Sequence, residues 1–439
     1  MYAKGFGVRD VRSGDKVNAD TVFQLASLSK PVGATVVAHE VTDKVVDWST
    51  PVSTKLPWFA LSDPYVTRNV TIADLYSHRS GLPDHAGDSL EDLGYDRRQV
   101  LERLRDLPLA PFRITDEYTN FGLTAAAEAV AVAAGKSWED LSEDVLYRPL
   151  GMASTSSRFA DFPSRSNHAV GHVLSGNKWE PLYTRDPDAQ TAAAGVSSSI
   201  NDMGRWLAMV MADGTSNGAR IAAPEALLPA ITPQITSIPA KTAQARAGSY
   251  GYGFNVSVTS SGRTQYSHSG AFALGAGTAF SVLPSEDVGI VALTNAAPIG
   301  LPETLDADFM DLVQYGEVRE DWGTLYHRAF ESMDKPEGSL VGSTPPANAA
   351  PARPLSDYVG VYNNGYWGPA TITERDGKLL LELGPRGQEF PLTRWNADTF
   401  TFTLQNENAP PGTVSEATFA GNTVKLEYYN DENLGTFTR

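Results

Sequence analysis

The sequence predicts an α/β (α+β) domain, an antiparallel sheet flanked by helices, followed by a small all-β barrel. Three observations predict it. Apolar helical runs, above all Val32 to Val45 and Gly122 to Gly135, fill the first part of the chain. Short β-rich segments separated by turn residues occupy Tyr250 to Asn295. Beyond a stretch rich in Pro, Gly, Ser and Ala from Lys335 to Pro354, apolar residues alternate at period two. The expected organisation is therefore a first domain over 1–334, a linker over 335–354 and a barrel over 355–439.

Taken in order, Met1 to Val8 reads as a strand and Ser13-Gly14-Asp15-Lys16 as a turn. Thr21-Val22-Phe23 then leads through the small residues Ala26 and Ser27 into the apolar helix. Trp48 to Pro83 is turn-rich and contains Leu75-Tyr76-Ser77-His78-Arg79-Ser80-Gly81-Leu82-Pro83, where His78 reads as a hydrogen-bonded structural histidine ahead of a tight turn. Asp96 to Leu107 is a charged helix, and Pro108 and Pro111 reset the chain into an extended piece ending at Tyr118-Thr119-Asn120. Gly195 to Asp202 reads as the cap region of a helix over Met203 to Val210. Strands follow at Tyr252–Val256, Gln265–His268, Gly277–Leu283 and Val288–Leu293, then helices near Leu305–Val313 and Arg319–Met333. In the barrel, strands are expected at Tyr358–Tyr362, Ala370–Thr373, Lys378–Leu383, Thr399–Thr403 and Val424–Tyr428. Its aromatic residues Tyr362, Trp367, Trp395, Phe400 and Phe402 are read as core.

Composition narrows the function. With 52 acidic against 35 basic residues the formal charge is −17, so no basic stripe is present to displace counterions from nucleic acid. The absence of cysteine removes disulfides, thiolate nucleophiles and cysteine-ligated zinc, and leaves the compartment open. The seven histidines show no ligand spacing, so neither metal nor cofactor is expected. No basic-then-apolar leader and no run of eighteen apolar residues is visible, which predicts a soluble chain without a transmembrane segment.

The chemistry centres on Ser27-Leu28-Ser29-Lys30. At a helix start these place a hydroxyl and an amine one turn apart on one face. A serine hydroxyl is a poor nucleophile until a base takes its proton, and an amine in a partly dry site can be that base. The free N–H groups of a helix N-terminus favour a carbonyl oxygen that turns anionic. Ser-x-x-Lys recurs at Ser13–Lys16, Ser175–Lys178 and Ser332–Lys335, but the first two lie in turns and the third ends a helix ahead of Pro336. Context selects Ser27. Gly214-Thr215-Ser216-Asn217-Gly218 matches a nucleophile elbow in spelling only, because a helix rather than a buried strand precedes it.

Ser27-Leu28-Ser29-Lys30, Tyr118-Thr119-Asn120 and His268-Ser269-Gly270 stand in order at a helix start, a loop before a helix and a sheet strand. In this the chain resembles the penicillin-recognising serine hydrolases: class C β-lactamases, D,D-peptidases, D-aminopeptidases and related carboxylesterases. The resemblance runs from Met1 to Met333, with Leu75–Pro83 and Gly195–Leu207 as further landmarks. It implies a β-lactamase/transpeptidase-like fold with Ser27 as nucleophile and Lys30 and Tyr118 sharing the proton transfer. Asn120 would hold Lys30 and the substrate amide, and the backbone N–H groups of Ser27 and Ala271 would form the oxyanion hole. His268 takes the catalytic position of the third motif, with Ser269 and Gly270 beside the substrate. Penicillinases carry Lys-Thr-Gly there, and a largely neutral histidine anchors a β-lactam carboxylate less well.

His-x-Gly forms occur among the resembling esterases and D-aminopeptidases, and among penicillin-binding-protein-type thioesterases that cyclise peptides and carry a lipocalin-like C-terminal domain. The expected function is hydrolysis of small ester, amide or peptide substrates through a Ser27 acyl-enzyme. Two alternatives stand beside it: a peptide macrocyclase, in which a tethered amine outcompetes water, and a penicillin-binding protein that acylates once and stalls. The sequence leaves oligomeric state open.

Overall fold

The computed structural model describes residues 1–439. Contacts divide the chain into two units: Met1–His85 with Leu109–Glu331, and Ala86–Pro108 with Ser332–Arg439. The excursion of Ala86–Pro108 into the second unit has no counterpart in the division read from sequence.

In the first unit, β1 (Val22–Gln24) pairs antiparallel with β2 (Ser197–Ser199). A single 3-10 turn, Ala26–Leu28, joins β1 to α1 (Ser29–Thr42). This helix is buried on nearly every side, with Val32, Ala34, Val36, Val37 and Ala38 fully enclosed, which is why its apolar residues form a continuous run rather than a stripe. Each valine so buried stabilises the fold by about 1.5–3 kcal/mol. Beside it lies α2 (Asn120–Ala134), whose alanines permit close approach and which stops at Gly135 in the left-handed conformation (φ +69°). The serine run before α3 (Ile200–Met211) does two things: Ser197–Ser199 is the strand β2, and Ser199 also caps α3 by accepting the Asp202 N–H.

The sheet has six strands in sequence order: β3 (Ile235–Ile238), β4 (Gly248–Tyr250), β5 (Asn255–Val258), β6 (Thr264–Phe272), β7 (Ala276–Leu283) and β8 (Val288–Thr294). Every pairing is antiparallel. Along β6 the even residues Tyr266, His268, Gly270 and Phe272 are buried, and the odd ones face the other side. Two helices complete the unit, α4 (Leu301–Tyr315), which packs on β7 and β8, and α5 (Trp322–Phe330), which packs on α4. Met1–Val8 forms no strand, contrary to the sequence reading. Its backbone makes one isolated bridge, Val8 with Lys16, and Met1, Tyr2 and Phe6 stay exposed because no neighbouring strand pairs with them.

The second unit is an eight-stranded meander in which each strand pairs with the next: β9 (Gly360–Tyr362), β10 (Ala370–Arg375), β11 (Lys378–Leu383), β12 (Gln388–Asn396), β13 (Thr399–Leu404), β14 (Thr413–Ala420), β15 (Thr423–Leu426) and β16 (Thr436–Thr438). Asn363 and Thr438 exchange backbone hydrogen bonds of 2.8 and 3.0 Å, which join the first strand to the last. The barrel is thereby nearly closed, and Tyr362, Phe400 and Phe402 sit in its core, with Trp395 only half-buried. The Pro-rich stretch is bonded along the barrel: Val414 N–H donates to Glu337 O, and Ala397 N–H to Ala350 O. Ala86–Pro108 joins the same unit, with Tyr95 OH donating to Trp367 O at 2.8 Å and Asn408 bonded to Asp92.

Candidate active site

Ser27 sits in the 3-10 turn, immediately after Ala26, whose φ of +47° is unusual for a residue with a side chain. That turn lifts the Ser27 hydroxyl off the end of α1, and Lys30 follows in the helix's first turn. Lys30 is fully buried, and its Nζ lies 2.9 Å from Ser27 Oγ, 2.6 Å from Asn120 Oδ1 and 3.1 Å from Ala193 O. The last two are carbonyl oxygens and can only accept. As an ammonium, Lys30 donates to all three atoms; as a neutral amine it keeps two N–H groups on Asn120 and Ala193 and aims its lone pair at Ser27 Oγ.

Tyr118 OH donates to Ser27 Oγ from the other side at 2.9 Å, and its ring lies 4.5 Å from Lys30 Nζ. His78 holds this loop. Its Nδ1 accepts the Thr119 N–H at 3.1 Å and its ring packs 4.5 Å from that of Tyr118. Burial, reinforced by the Lys30 charge, keeps the His78 imidazole neutral, well below the usual histidine range. The structural reading of His78 therefore acquires a positioning content.

The strand β6 closes the remaining side. A Cβ added to Gly270 would meet Leu25 O at 2.6 Å and Ser27 N at 2.9 Å, so this backbone lies against the Ser27 amide and Ala271 follows directly. His268 lies on the same buried face of β6 as Gly270, its ring 6.5 Å from that of Tyr118, and makes no hydrogen bond to Ser27. Its Nε2 accepts from Tyr250 OH at 2.7 Å and its Nδ1–H donates to Ser269 O at 2.6 Å. Burial, and then the charge of Lys30, push its pKa down to about 3, so it is neutral at pH 7 with both nitrogens engaged. Ser269 points to the opposite face and donates to Glu303.

The sequence reading missed Tyr250, Ala193 and Glu303. Only their position in space marks them: Tyr250 ends a short strand, Ala193 contributes a backbone carbonyl and Glu303 begins a helix, so no spacing distinguishes them.

Asp116, two residues before Tyr118, has a buried Oδ1 without a partner. Burial, with Glu117 and Asp84 nearby, raises its pKa to about 6. Because this lies above the unfolded value, the stability it confers is complete below about pH 4 and is lost as pH rises through about 6. Asp116→Asn is therefore expected to melt at a higher temperature than wild type at pH 8, with the gain shrinking towards pH 4. Thermal melts across that range check it.

Comparison with known proteins adds to this geometry. A family profile described as Beta-lactamase matches residues 1–315, and one described as a domain of unknown function (DUF3471) matches residues 344–431. The chain is 26% identical over 391 residues to the unguisins hydrolase ungD' of Aspergillus campestris, covering 84% of this chain and 71% of that one. It is 22% identical over 311 residues to the D-alanyl-D-alanine-carboxypeptidase/endopeptidase AmpH of Escherichia coli K12, covering 69% and 79%. Among solved structures, the octameric penicillin-binding protein homologue from Pyrococcus abyssi superposes with a TM-score of 0.63 at 19% identity, over 97% of this chain and 91% of that one. At that identity the likeness speaks for the fold alone.

Proposed function

Because the chain belongs to the β-lactamase family and is a serine hydrolase, we propose that Ser27 is its nucleophile and that it cleaves ester or peptide and amide bonds through an acyl-enzyme. One observation carries this reading: Lys30 Nζ and Tyr118 OH each lie 2.9 Å from Ser27 Oγ. With Lys30 neutral, the Ser27 proton passes to Nζ as Oγ bonds to the substrate carbonyl carbon. The carbonyl oxygen becomes anionic between the N–H groups of Ser27 and Ala271, each worth about 3–4 kcal/mol in the transition state. The proton then passes to the departing alcohol or amine by way of Tyr118, whose hydroxyl spans the gap. Water attacks the acyl-enzyme, Ser27 regains a proton and the acid leaves.

Asn120 fixes the Lys30 amine, and His268 is a positioning residue that holds β6 through Tyr250. The neutral imidazole supplies no charge for a substrate carboxylate, which supports esters and amides over β-lactams as the substrates. The relatives named for hydrolysis of unguisins and of D-alanyl-D-alanine peptides support the amide side of the reading.

The test combines turnover with mass. A panel of a p-nitrophenyl ester, a D-amino-acid amide, a cephalosporin and a linear peptidyl thioester is expected to give free acid from the ester or the amide, and a fluorophosphonate adduct is expected on the peptide containing Ser27. Cyclic product from the thioester would favour the macrocyclase. A stable acyl adduct without turnover would favour the stalled penicillin-binding protein, and an adduct elsewhere would overturn the assignment.

A further inference from the structure

Behind β6, on the face away from Ser27, lies a cavity of about 580 Å³. Its floor is the outer face of the sheet, including Ser267, Ser269 and Ser281, and its roof is α4 and α5, including Glu303, Asp306 and Tyr326. Glu303 and Asp306 stand three residues apart on one face of α4. Neither has an ion-pair partner. Asp306 is 4% exposed, and both of its carboxylate oxygens are buried without a hydrogen-bond partner. A carboxylate placed this way costs several kcal/mol unless it is neutralised or paired. Burial and the nearby Glu303 charge push Asp306 well above the usual carboxylate range, the Ser281 hydroxyl acting the other way, and burial raises Glu303 as well.

The lining also says what would pair with these acids. A lone metal ion leaves most of such a volume empty, and no group of three or more metal-binding side chains is present. Aromatic rings line the cavity instead: Trp322 and Tyr326 stand 6.0 Å apart, with the Trp322 N–H given to Asp311. Two acids, several hydroxyls and aromatic faces together suit an organic ammonium group, which needs donors satisfied on one side and accepts ring faces on the other.

We propose that this cavity binds an alkylammonium group through Asp306 and Glu303. Glu303 accepts the Ser269 hydroxyl, and Ser269 lies in β6 between His268 and Gly270, the residue that abuts Ser27 N. An ammonium held there thus acts on the strand that abuts Ser27 from its opposite face, through Glu303 and Ser269. Because the sheet separates the cavity from Ser27, the ligand is a free amine and not a part of the substrate under attack.

The experiment separates the site from the reaction. Calorimetric titration of the full wild-type chain with n-butylammonium needs no turnover; saturable binding is expected, weakened at least about tenfold in Asp306→Asn and in Glu303→Gln. The proposal is overturned by no binding of n-butylammonium to wild type, or by binding that Asp306→Asn leaves unchanged, whatever the turnover of esters shows.

Discussion

Ser27→Ala is expected to lose about 10⁴–10⁶-fold in kcat on a p-nitrophenyl ester and all labelling by a fluorophosphonate. The size of the loss follows from what the hydroxyl does, since without Oγ no bond to the carbonyl carbon forms and only binding and the oxyanion donors remain. The fold has little reason to suffer. Ser27 is half-buried, Lys30 keeps Asn120 Oδ1 and Ala193 O, and the Ala26–Leu28 turn depends on backbone bonds to Leu25 and Ala26. Steady-state kinetics beside a thermal melt decide it: full turnover with intact folding would remove Ser27 from the mechanism.

The second large effect is expected at Lys30. Lys30→Met retains a long unbranched stem in a fully enclosed position and removes the amine, so kcat should fall by about 10³-fold or more while folding is retained. Two opposing contributions keep the stability change small. Removing a buried cation relieves a desolvation cost of several kcal/mol, and leaving Asn120 Oδ1 and Ala193 O without their donor costs about 1–3 kcal/mol each. Lys30→Arg discriminates between charge and base. A guanidinium stays protonated, so if Lys30 must accept the Ser27 proton, arginine restores nothing, whereas recovery of most of the activity in the arginine variant would make the positive charge alone sufficient. Measuring kcat against pH for all three proteins completes the comparison.

The candidate nucleophile of these expectations was legible in the sequence through its context. A Ser-x-x-Lys opening a uniformly apolar run differs from three copies of the same pattern in turns and at a helix end, and burial of α1 on all sides is the physical reason. Tyr118 and Asn120 were placed by sequence on the loop feeding an alanine-rich helix, and only the family resemblance assigned them a part at the site. The alternation of Lys378 to Leu383 gave that strand its bounds to the residue, since every second side chain enters the barrel core. Where the reading failed, tertiary contact outweighed local pattern. Met1–Val8 has strand-like residues and no strand to pair with. Gln388–Asn396, Thr413–Ala420 and Thr436–Thr438 went unread because each buries few large apolar residues; in Thr413–Ala420 the buried residues are Thr413, Ser415, Ala417 and Phe419. The hydrogen bond of His268 was illegible too, since it depends on a tyrosine 18 residues away whose hydroxyl occupies its Nε2.

Because Ala86–Pro108 is built into the second unit, the polypeptide passes between units at 85/86, at 108/109 and again at 331/332. The C-terminal quarter is consequently not an appendage that a stop codon near 334 could trim away. Such a truncation would orphan Leu90, Leu93, Val100 and Leu101, all now enclosed, in the very stretch that runs from His85 to Tyr118, the tyrosine bonded to Ser27. Biosynthesis inherits the same constraint, since a ribosome that has finished the whole catalytic portion still holds a protein unable to bury this apolar loop until the last strands emerge.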